Sequence, residues 1–494
     1  VPQRDDLLTM DSVQKISDQA EEPRKAGFLD RTLRNLTNAW RTIAGSSYDA
    51  MAASARPGLP ENDIEALRRQ MRDCLEIKGG EVSARARAAA LGHVYLALDS
   101  TGRRRFLDLL ARDFGVDHAA VDRAASELGR ASDDDKRRQA EAALRRALES
   151  RCVRLLTQFN ALPDGVKFLV DMRAELLALR SRDAALSGLE QDLKSLLTTW
   201  FDIGFLELRR ITWDNASAAL LEKLIAYEAV HAIKGWDDLK NRLDSDRRCF
   251  AYFHPRMPDE PLIFVEVALV NGLADNIRTL LDENAPVQDP RRADTAIFYS
   301  ISNAQKGLAG ISLGNFLIKR VADALAAEFK GLKMFATLSP IPGFRAWLNQ
   351  RIADGEPNLL TEKERKALGA AVGRAAGAKG TLKKLLADSG WTSDDVKSEV
   401  LRGPLMRLCM RYLAEEKAAG GRVLDPVAHF HLSNGAGMER LNWMADLSPK
   451  GVEQSAGMML NYLYDLNRVE DNHEAYTSEG KIRISSAMRS VLKS

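Results

Sequence analysis

The spacing of apolar residues changes near residue 200, and that change divides the chain. From Glu61 to about Thr198 they recur near every 3.6 positions, as in Leu107, Leu110 and Phe114, or in Phe168, Val170, Met172, Leu176 and Leu177. Ala, Leu, Arg and Glu dominate there and β-branched residues are scarce, so the pattern predicts a bundle of amphipathic helices. Asp117 and Ser132 are suited to cap two of them, and Asp164-Gly165 opens another. Residues 1–60 are polar and end in a Pro57–Pro60 break; one helix is expected around Phe28–Ile43.

After Thr198 shorter apolar runs take over. Phe205–Trp213 alternates like a strand, Leu220–Val230 reads as a helix, and Arg248–His254 and Leu262–Val270 read as strands joined by a Pro255–Pro261 hairpin loop. Ala296–Ser302 is a short buried strand. From Leu313 the apolar residues Phe316, Leu317, Val321, Ala324, Leu325 and Phe329 fall at helical spacing, and Lys333–Leu338 is again strand-like until Pro340 stops it. Strand, glycine turn, helix and strand make a βαβ unit with parallel strands. Glu362–Lys417 is helical and too long for a crossover, which marks an insertion. Val427–Leu432 and Met438–Met444 read as strands, Gly457–Leu466 and Ala487–Leu492 as short helices. The expected fold class is α+β: an all-α bundle over residues 1–198, then a mixed α/β domain over 199–494 with a helical insertion around 361–420.

Charge removes several function classes. Basic and acidic residues nearly cancel, 71 against 69, so nothing global favours nucleic acid. Arg68-Arg69, Arg103-Arg104-Arg105 and Lys136-Arg137-Arg138 are interleaved with carboxylates rather than aromatics, the pattern of a solvated, ion-paired helix face. No apolar run reaches the length of a membrane span, and Val1-Pro-Gln-Arg-Asp-Asp6 has no signal-peptide core. Cys74, Cys152, Cys249 and Cys409 form no Cys-x-x-Cys pair, which argues against a zinc cage and for reduced thiols in a cytoplasmic protein.

Candidate chemistry sits in the βαβ unit and after it. Gly307, Gly310 and Gly314 lie at the strand-to-helix turn, where main-chain N–H groups and a helix N-terminus favour a phosphate. A tight turn also needs glycine when nothing binds, so the pattern alone leaves both readings open. Ser339 ends the second strand, its backbone stiffened by Pro340 and Pro342; a serine closing a strand-end turn would look the same. His429 and His431 alternate on one face of the expected strand, with no third ligand near, so no metal is expected.

Several segments together resemble malonyl-CoA decarboxylase: Phe298-Tyr-Ser-Ile-Ser302, Gly314-Asn-Phe-Leu-Ile-Lys-Arg320, Leu338-Ser-Pro-Ile-Pro-Gly-Phe344, Pro404-Leu-Met-Arg-Leu-Cys409, Phe430-His-Leu-Ser-Asn-Gly-Ala436 and Asn442-Trp-Met-Ala-Asp446. The similarity runs from about Trp200 to the end and includes Glu228-Ala-Val-His231; the helical part fits by composition and placement. The resemblance implies a helical oligomerisation domain, giving a homo-oligomer (dimer or tetramer), and a catalytic domain of the GNAT-type acetyltransferase fold. In that fold two parallel strands splay and the acyl-CoA thioester lies in the gap. The implied reaction converts malonyl-CoA to acetyl-CoA and CO2 through a thioester enolate protonated at C2, without metal or organic cofactor and without nucleic-acid or membrane partners. Alternatives are an acyl-CoA-dependent acyltransferase of the same fold and a non-catalytic acyl-CoA-binding protein. The resemblance places Ser339 in catalysis, in a proton-accepting or carboxylate-contacting role, together with His431 and with Tyr464 orienting the pair; a histidine near its normal pKa is a suitable proton donor. It places CoA on Gly307, Ala309, Gly310, Ile311, Ser312, Leu313, Gly314 and Asn315. Gln305-Lys-Gly-Leu-Ala-Gly310 departs from the superfamily's Gln/Arg-x-x-Gly-x-Gly/Ala in its middle glycine, so the resemblance locates the loop rather than each contact.

Overall fold

The computed structural model describes residues 53, 56–75, 81–179, 183–311, 313, 317–371 and 380–493. The helix expected around Phe28–Ile43, and Ser312, Gly314 and Asn315 of the glycine segment, lie outside the described residues. Up to Trp200 the described chain is helical: Glu61–Leu75, Glu81–Ala97, Ser100–Phe114, His118–Gly129, Asp134–Leu148, Arg151–Phe159, Gly165–Leu179 and Ala184–Trp200. Asp117 caps His118–Gly129 through the Ala120 N–H. Ser132 does not cap the next helix. Asp133 accepts the Lys136 N–H at 2.9 Å, because a carboxylate in the cap position also meets the positive end of the helix dipole. The basic runs are paired as expected, Arg137 with Glu141, Arg138 with Asp135 and Arg103 with Glu175.

The second part is built on one sheet. Its strands are β1 (Glu207–Ile211), β2 (Arg247–His254), β3 (Met257–Val270), β4 (Thr295–Asn303), β5 (Met334–Thr337), β6 (Ser339–Pro340), β7 (Gly437–Asn442) and β8 (Met459–Leu463). The order is β1-β2-β3-β4-β5-β8-β6, with β7 paired to β8. β1 to β4 form an antiparallel meander, and β4 and β5 are parallel with Leu317–Glu328 as the crossover helix. The parallel pair β4–β5 with its crossover helix is the expected βαβ unit. With the helical part before it, the fold is α+β.

Three expectations are corrected. The 255–261 loop is mostly strand: His254 pairs with Met257, and register shifts beside Phe253 absorb the prolines. Val427–Leu432 is no strand but the helix Pro426–Ser433, opened by Asp425 as cap and Pro426 at the first turn. Conversely, Gly457–Leu466 contains β8. Met459, Leu460, Asn461 and Tyr462 are all buried, and a strand covered on both faces shows no alternation to read. The insertion consists of Glu362–Ala371, Thr381–Ala387 and Asp395–Ala414.

One continuous core runs from Leu67 and Phe168 in the helical part through Phe298 and Leu317 to Tyr462 and Tyr464. The two parts are also joined by the buried guanidinium of Arg173. Arg173, 1% exposed, donates to the Glu190 carboxylate at 2.7 Å, to the Gly307 carbonyl at 2.6 Å and to the Ala309 carbonyl at 2.8 Å. All four cysteines are free and buried. Among the described residues no helix is long and apolar enough to cross a membrane.

Candidate active site

The parallel pairing of β4 and β5 stops at Phe298 and Thr337, with one further bond from the Leu338 N–H to the Phe298 carbonyl at 3.0 Å. Beyond it β4 runs on to Asn303, whereas Ser339 turns away to pair with Leu460 of β8. A gap therefore opens at the carboxyl end of the parallel strands, where open sheets place ligands. It holds a cavity of about 80 Å3 lined by Ser339, His431, Ser300, His231, Lys450 and their neighbours.

Ser339, His431 and Tyr464 come together here. Ser339 Oγ lies 2.9 Å from His431 Nε2 and 2.8 Å from Thr337 Oγ1, and His431 Nδ1 lies 2.8 Å from Tyr464 Oη. Each member has its own support. Ser339 sits on β6 beside Pro340, His431 is on the first helix after the insertion, and Tyr464 follows β8 with its N–H on the Phe335 carbonyl at 2.8 Å. The imidazole also stacks on Tyr462, centroids 4.3 Å apart. With a hydroxyl on each ring nitrogen, either neutral tautomer is satisfied, and switching tautomer moves a proton between the Tyr464 and Ser339 ends. The expectation of a histidine near its ordinary value is corrected: burial pulls His431 from 6.5 down to about 3, so it rests neutral. Burial also pushes the Tyr464 hydroxyl well up, keeping it protonated.

His429 does not join this group. Two residues apart on a helix, the histidines point to different sides, and His429 Nδ1 meets Tyr476 Oη at 2.9 Å. His254 holds the Trp200 carbonyl at 3.1 Å and the Arg256 N–H at 3.1 Å. Both are structural neighbours rather than cavity groups.

The glycine turn is a separate place; none of Gly307, Ala309, Gly310, Ile311 and Leu313 lines the cavity. Gly307 faces the helical part. A Cβ there would stand 1.7 Å from the Val170 carbonyl oxygen, so this glycine permits packing rather than ligand approach. Ala309 turns its carbonyl to Arg173, Ile311 packs against the core and Leu313 is buried in it. Gly310 is different. Its φ of +71° demands glycine, and a Cβ there would meet Lys194 Nζ at 3.3 Å. The helix Ala184–Trp200 thus brings an ammonium over the turn.

Four groups went unassigned by the sequence reading: Ser300 and Lys450, which line the cavity, and Glu228 and Ser302, which are bonded to its wall. Glu228 is buried and accepts from both serine hydroxyls, at 2.7 Å and 3.1 Å, and from the N–H groups of Val230 and His231 at 2.8 and 2.9 Å. It fixes the segment Ala229–His231 along one wall. That segment's carbonyls, Ala229 and Val230, accept from Lys450 Nζ at 2.8 and 3.2 Å. Burial pulls Lys450 below the usual lysine range, against the opposing pull of Glu228 and Asp446. His231 Nε2 is buried and has no hydrogen-bond partner among the described residues, and burial, with Arg242 and Lys450 nearby, holds that ring at about 3. The spacing of serines in Phe298-Tyr-Ser-Ile-Ser302, alternate on one strand face, was the available signal for Glu228.

Comparison with known proteins agrees with this geometry over nearly the whole chain. The family model for the malonyl-CoA decarboxylase C-terminal domain matches residues 204–494, and that for its N-terminal domain residues 114–201. The chain belongs to the malonyl-CoA decarboxylase family. It is 39% identical to the mitochondrial malonyl-CoA decarboxylase of Anser anser anser over 428 residues, covering 83% of this chain and 84% of that protein. It is 37% identical to the mitochondrial enzyme of Mus musculus, covering 91% and 92%. Among solved structures it is similar to the malonyl-CoA decarboxylase of Rhodopseudomonas palustris, with 41% identity and a TM-score of 0.78 over 86% of this chain and 99% of that one. The malonyl-CoA decarboxylase of Agrobacterium vitis gives the same TM-score at 39% identity.

Proposed function

We infer that this chain is a malonyl-CoA decarboxylase, a carboxy-lyase converting malonyl-CoA to acetyl-CoA and CO2. The observation that carries the reading is the contact of Ser339 Oγ with His431 Nε2 at 2.9 Å inside the strand gap, in a chain that shares 36 to 39% identity with curated decarboxylases.

The chemistry asks for three things: a held carboxylate, a sink for its electron pair and a proton for C2. The thioester carbonyl is the sink, so no metal or organic cofactor is required in this mechanism. A negative charge entering the cavity, first as the malonyl carboxylate and then as the enolate, favours the imidazolium. His431 therefore takes up one proton in the complex. When the bond from C2 to the carboxylate breaks, its electron pair passes to the thioester as an enolate and CO2 departs. Ser339 gives its hydroxyl proton to C2 and receives the Nε2 proton of His431 in the same movement. Neutral His431, the serine hydroxyl and acetyl-CoA result, and charge balances. Tyr464 bonds Nδ1 throughout and fixes the plane of the ring. The enzyme's part is preorganisation and proton delivery.

The CoA pyrophosphate is assigned to the turn at Gly310, where the Lys194 ammonium offers positive charge. The helical part then has two roles, completing that site and assembling the chain into a homo-oligomer. Four buried free thiols support a reducing compartment.

Mixing the purified protein with malonyl-CoA alone and following products by mass spectrometry tests the reading. Acetyl-CoA and CO2 are expected in equal amounts with no acceptor present. Turnover only when an amine or hydroxyl acceptor is added would make the protein an acyltransferase instead.

A further inference from the structure

We propose that Lys450 binds the malonyl carboxylate and thereby selects malonyl-CoA over acetyl-CoA. The inference rests on the decarboxylase reading and assigns the group that recognises its substrate's charge.

Lys450 lines the same cavity as Ser339 and His431, and among the described residues no other lysine or arginine lines it. Two of its three N–H donors are committed, to the Ala229 and Val230 carbonyls. Those residues also line the cavity, so the ammonium is held at its wall with one donor uncommitted. Among the described residues no carboxylate forms an ion pair with it. Glu228 and Asp446 act on it without bonding to it, so a partly buried cation whose hydrogen bonds go to neutral carbonyls still has a place for a directly bound anion.

Its position also works against stability. Lys450 stands in the first turn of the helix Pro449–Ser455, where the backbone dipole opposes a positive charge. Ser448 and Pro449 already supply the cap and the first helical residue, so the lysine adds nothing to the helix start. The carbonyls that aim it belong to the segment Glu228 anchors through Ser300, Ser302 and two main-chain N–H groups. A buried support that ends on an ammonium with no directly bonded carboxylate among the described residues fits the shape of a carboxylate receptor. The substrate carries that carboxylate and the product does not.

The reaction gives this residue an unusual kinetic signature. As CO2 leaves, negative charge moves from the carboxylate toward the thioester oxygen, so contact with Lys450 is stronger in the bound substrate than in the transition state. Removing it should weaken substrate binding far more than it slows turnover. For a charge-assisted hydrogen bond the loss is about 10- to 100-fold in KM.

Steady-state kinetics of Lys450→Met and Lys450→Arg, with acetyl-CoA as competitive inhibitor, test the proposal. Lys450→Met should raise the KM for malonyl-CoA by about 10- to 100-fold, lower kcat much less, and leave the Ki of acetyl-CoA at the parent value. Lys450→Arg should restore most of the KM. Unchanged acetyl-CoA inhibition also shows that the variant is folded. Equal weakening of malonyl-CoA and acetyl-CoA, or a fall in kcat with KM intact, would overturn the assignment. Failure of the parent protein to release CO2 from malonyl-CoA would instead remove the decarboxylase reading itself, so the two failures are distinguishable.

Discussion

Acidification should expose the neutral state of His431 as a measurable loss of stability. Burial holds this imidazole at about 3 in the folded protein against an ordinary 6.5. At pH 7 it is neutral whether the chain is folded or not, so its full contribution is present. As pH falls through 6.5 the unfolded chain gains a proton that the native site refuses, and stability drops by ~1.4 kcal/mol for each pH unit. The loss reaches ~2 kcal/mol at pH 5 and continues to about pH 3, where the native ring also protonates. His231 is held down similarly, so the measurement must be a difference. Urea unfolding of the parent and of His431→Gln at pH 7 and pH 5 provides it. Glutamine keeps hydrogen-bonding capacity and cannot titrate. The parent should lose ~2 kcal/mol more than the variant between the two pH values. Parallel losses would mean that His431 already carries a proton in the native state, and the proton uptake assigned to the substrate complex would fall with it.

Further outcomes follow from the same geometry. Gly310→Asp, at a φ of +71° and facing Lys194, should raise the KM for malonyl-CoA strongly by occupying that ammonium and repelling the pyrophosphate; an unchanged KM in a folded variant would move the phosphate site elsewhere. Tyr464→Phe leaves His431 Nδ1 buried without its partner, at ~1–3 kcal/mol of stability, and should lower kcat about tenfold or more, short of the ~10²–10⁴-fold loss of a direct proton-transfer group. Activity kept at the parent level would make Tyr464 a packing residue. Sedimentation equilibrium should give a mass that is a multiple of 54.7 kDa; a monomer would remove the assembly role of the helical part.

The sequence was most informative where a helical period or polar flanks mark an element. The crossover helix Leu317–Glu328 and strand β4 announce themselves through period and polar flanks, and Ser339 and His431 through short motifs at element ends. It misled at one strand without alternation and where a cap outweighs a pattern. β8 has no alternation because both faces are covered. The histidine segment looks like a strand until Asp425-Pro426 is weighted as a helix start. Lys450 and Glu228 were hidden for another reason: 222 positions separate them along the chain, and only the fold sets the Lys450 ammonium on carbonyls that Glu228 holds in place. Gly307 shows the converse, a glycine that reads as a phosphate cradle and serves a contact with Val170 from the other part of the chain.

The claim at the centre is that Ser339 and His431 deliver one proton as a single unit. A kinetic cycle of Ser339→Ala, His431→Asn and the double variant measures it directly, with CoA affinity determined for each. Each single change should cut kcat by ~10²–10⁴-fold with CoA affinity nearly retained, and the double variant should be little slower than either, because groups acting in one step are not additive. Multiplying losses would show two independent roles, and a His431→Asn variant that keeps most of its turnover would contradict the account.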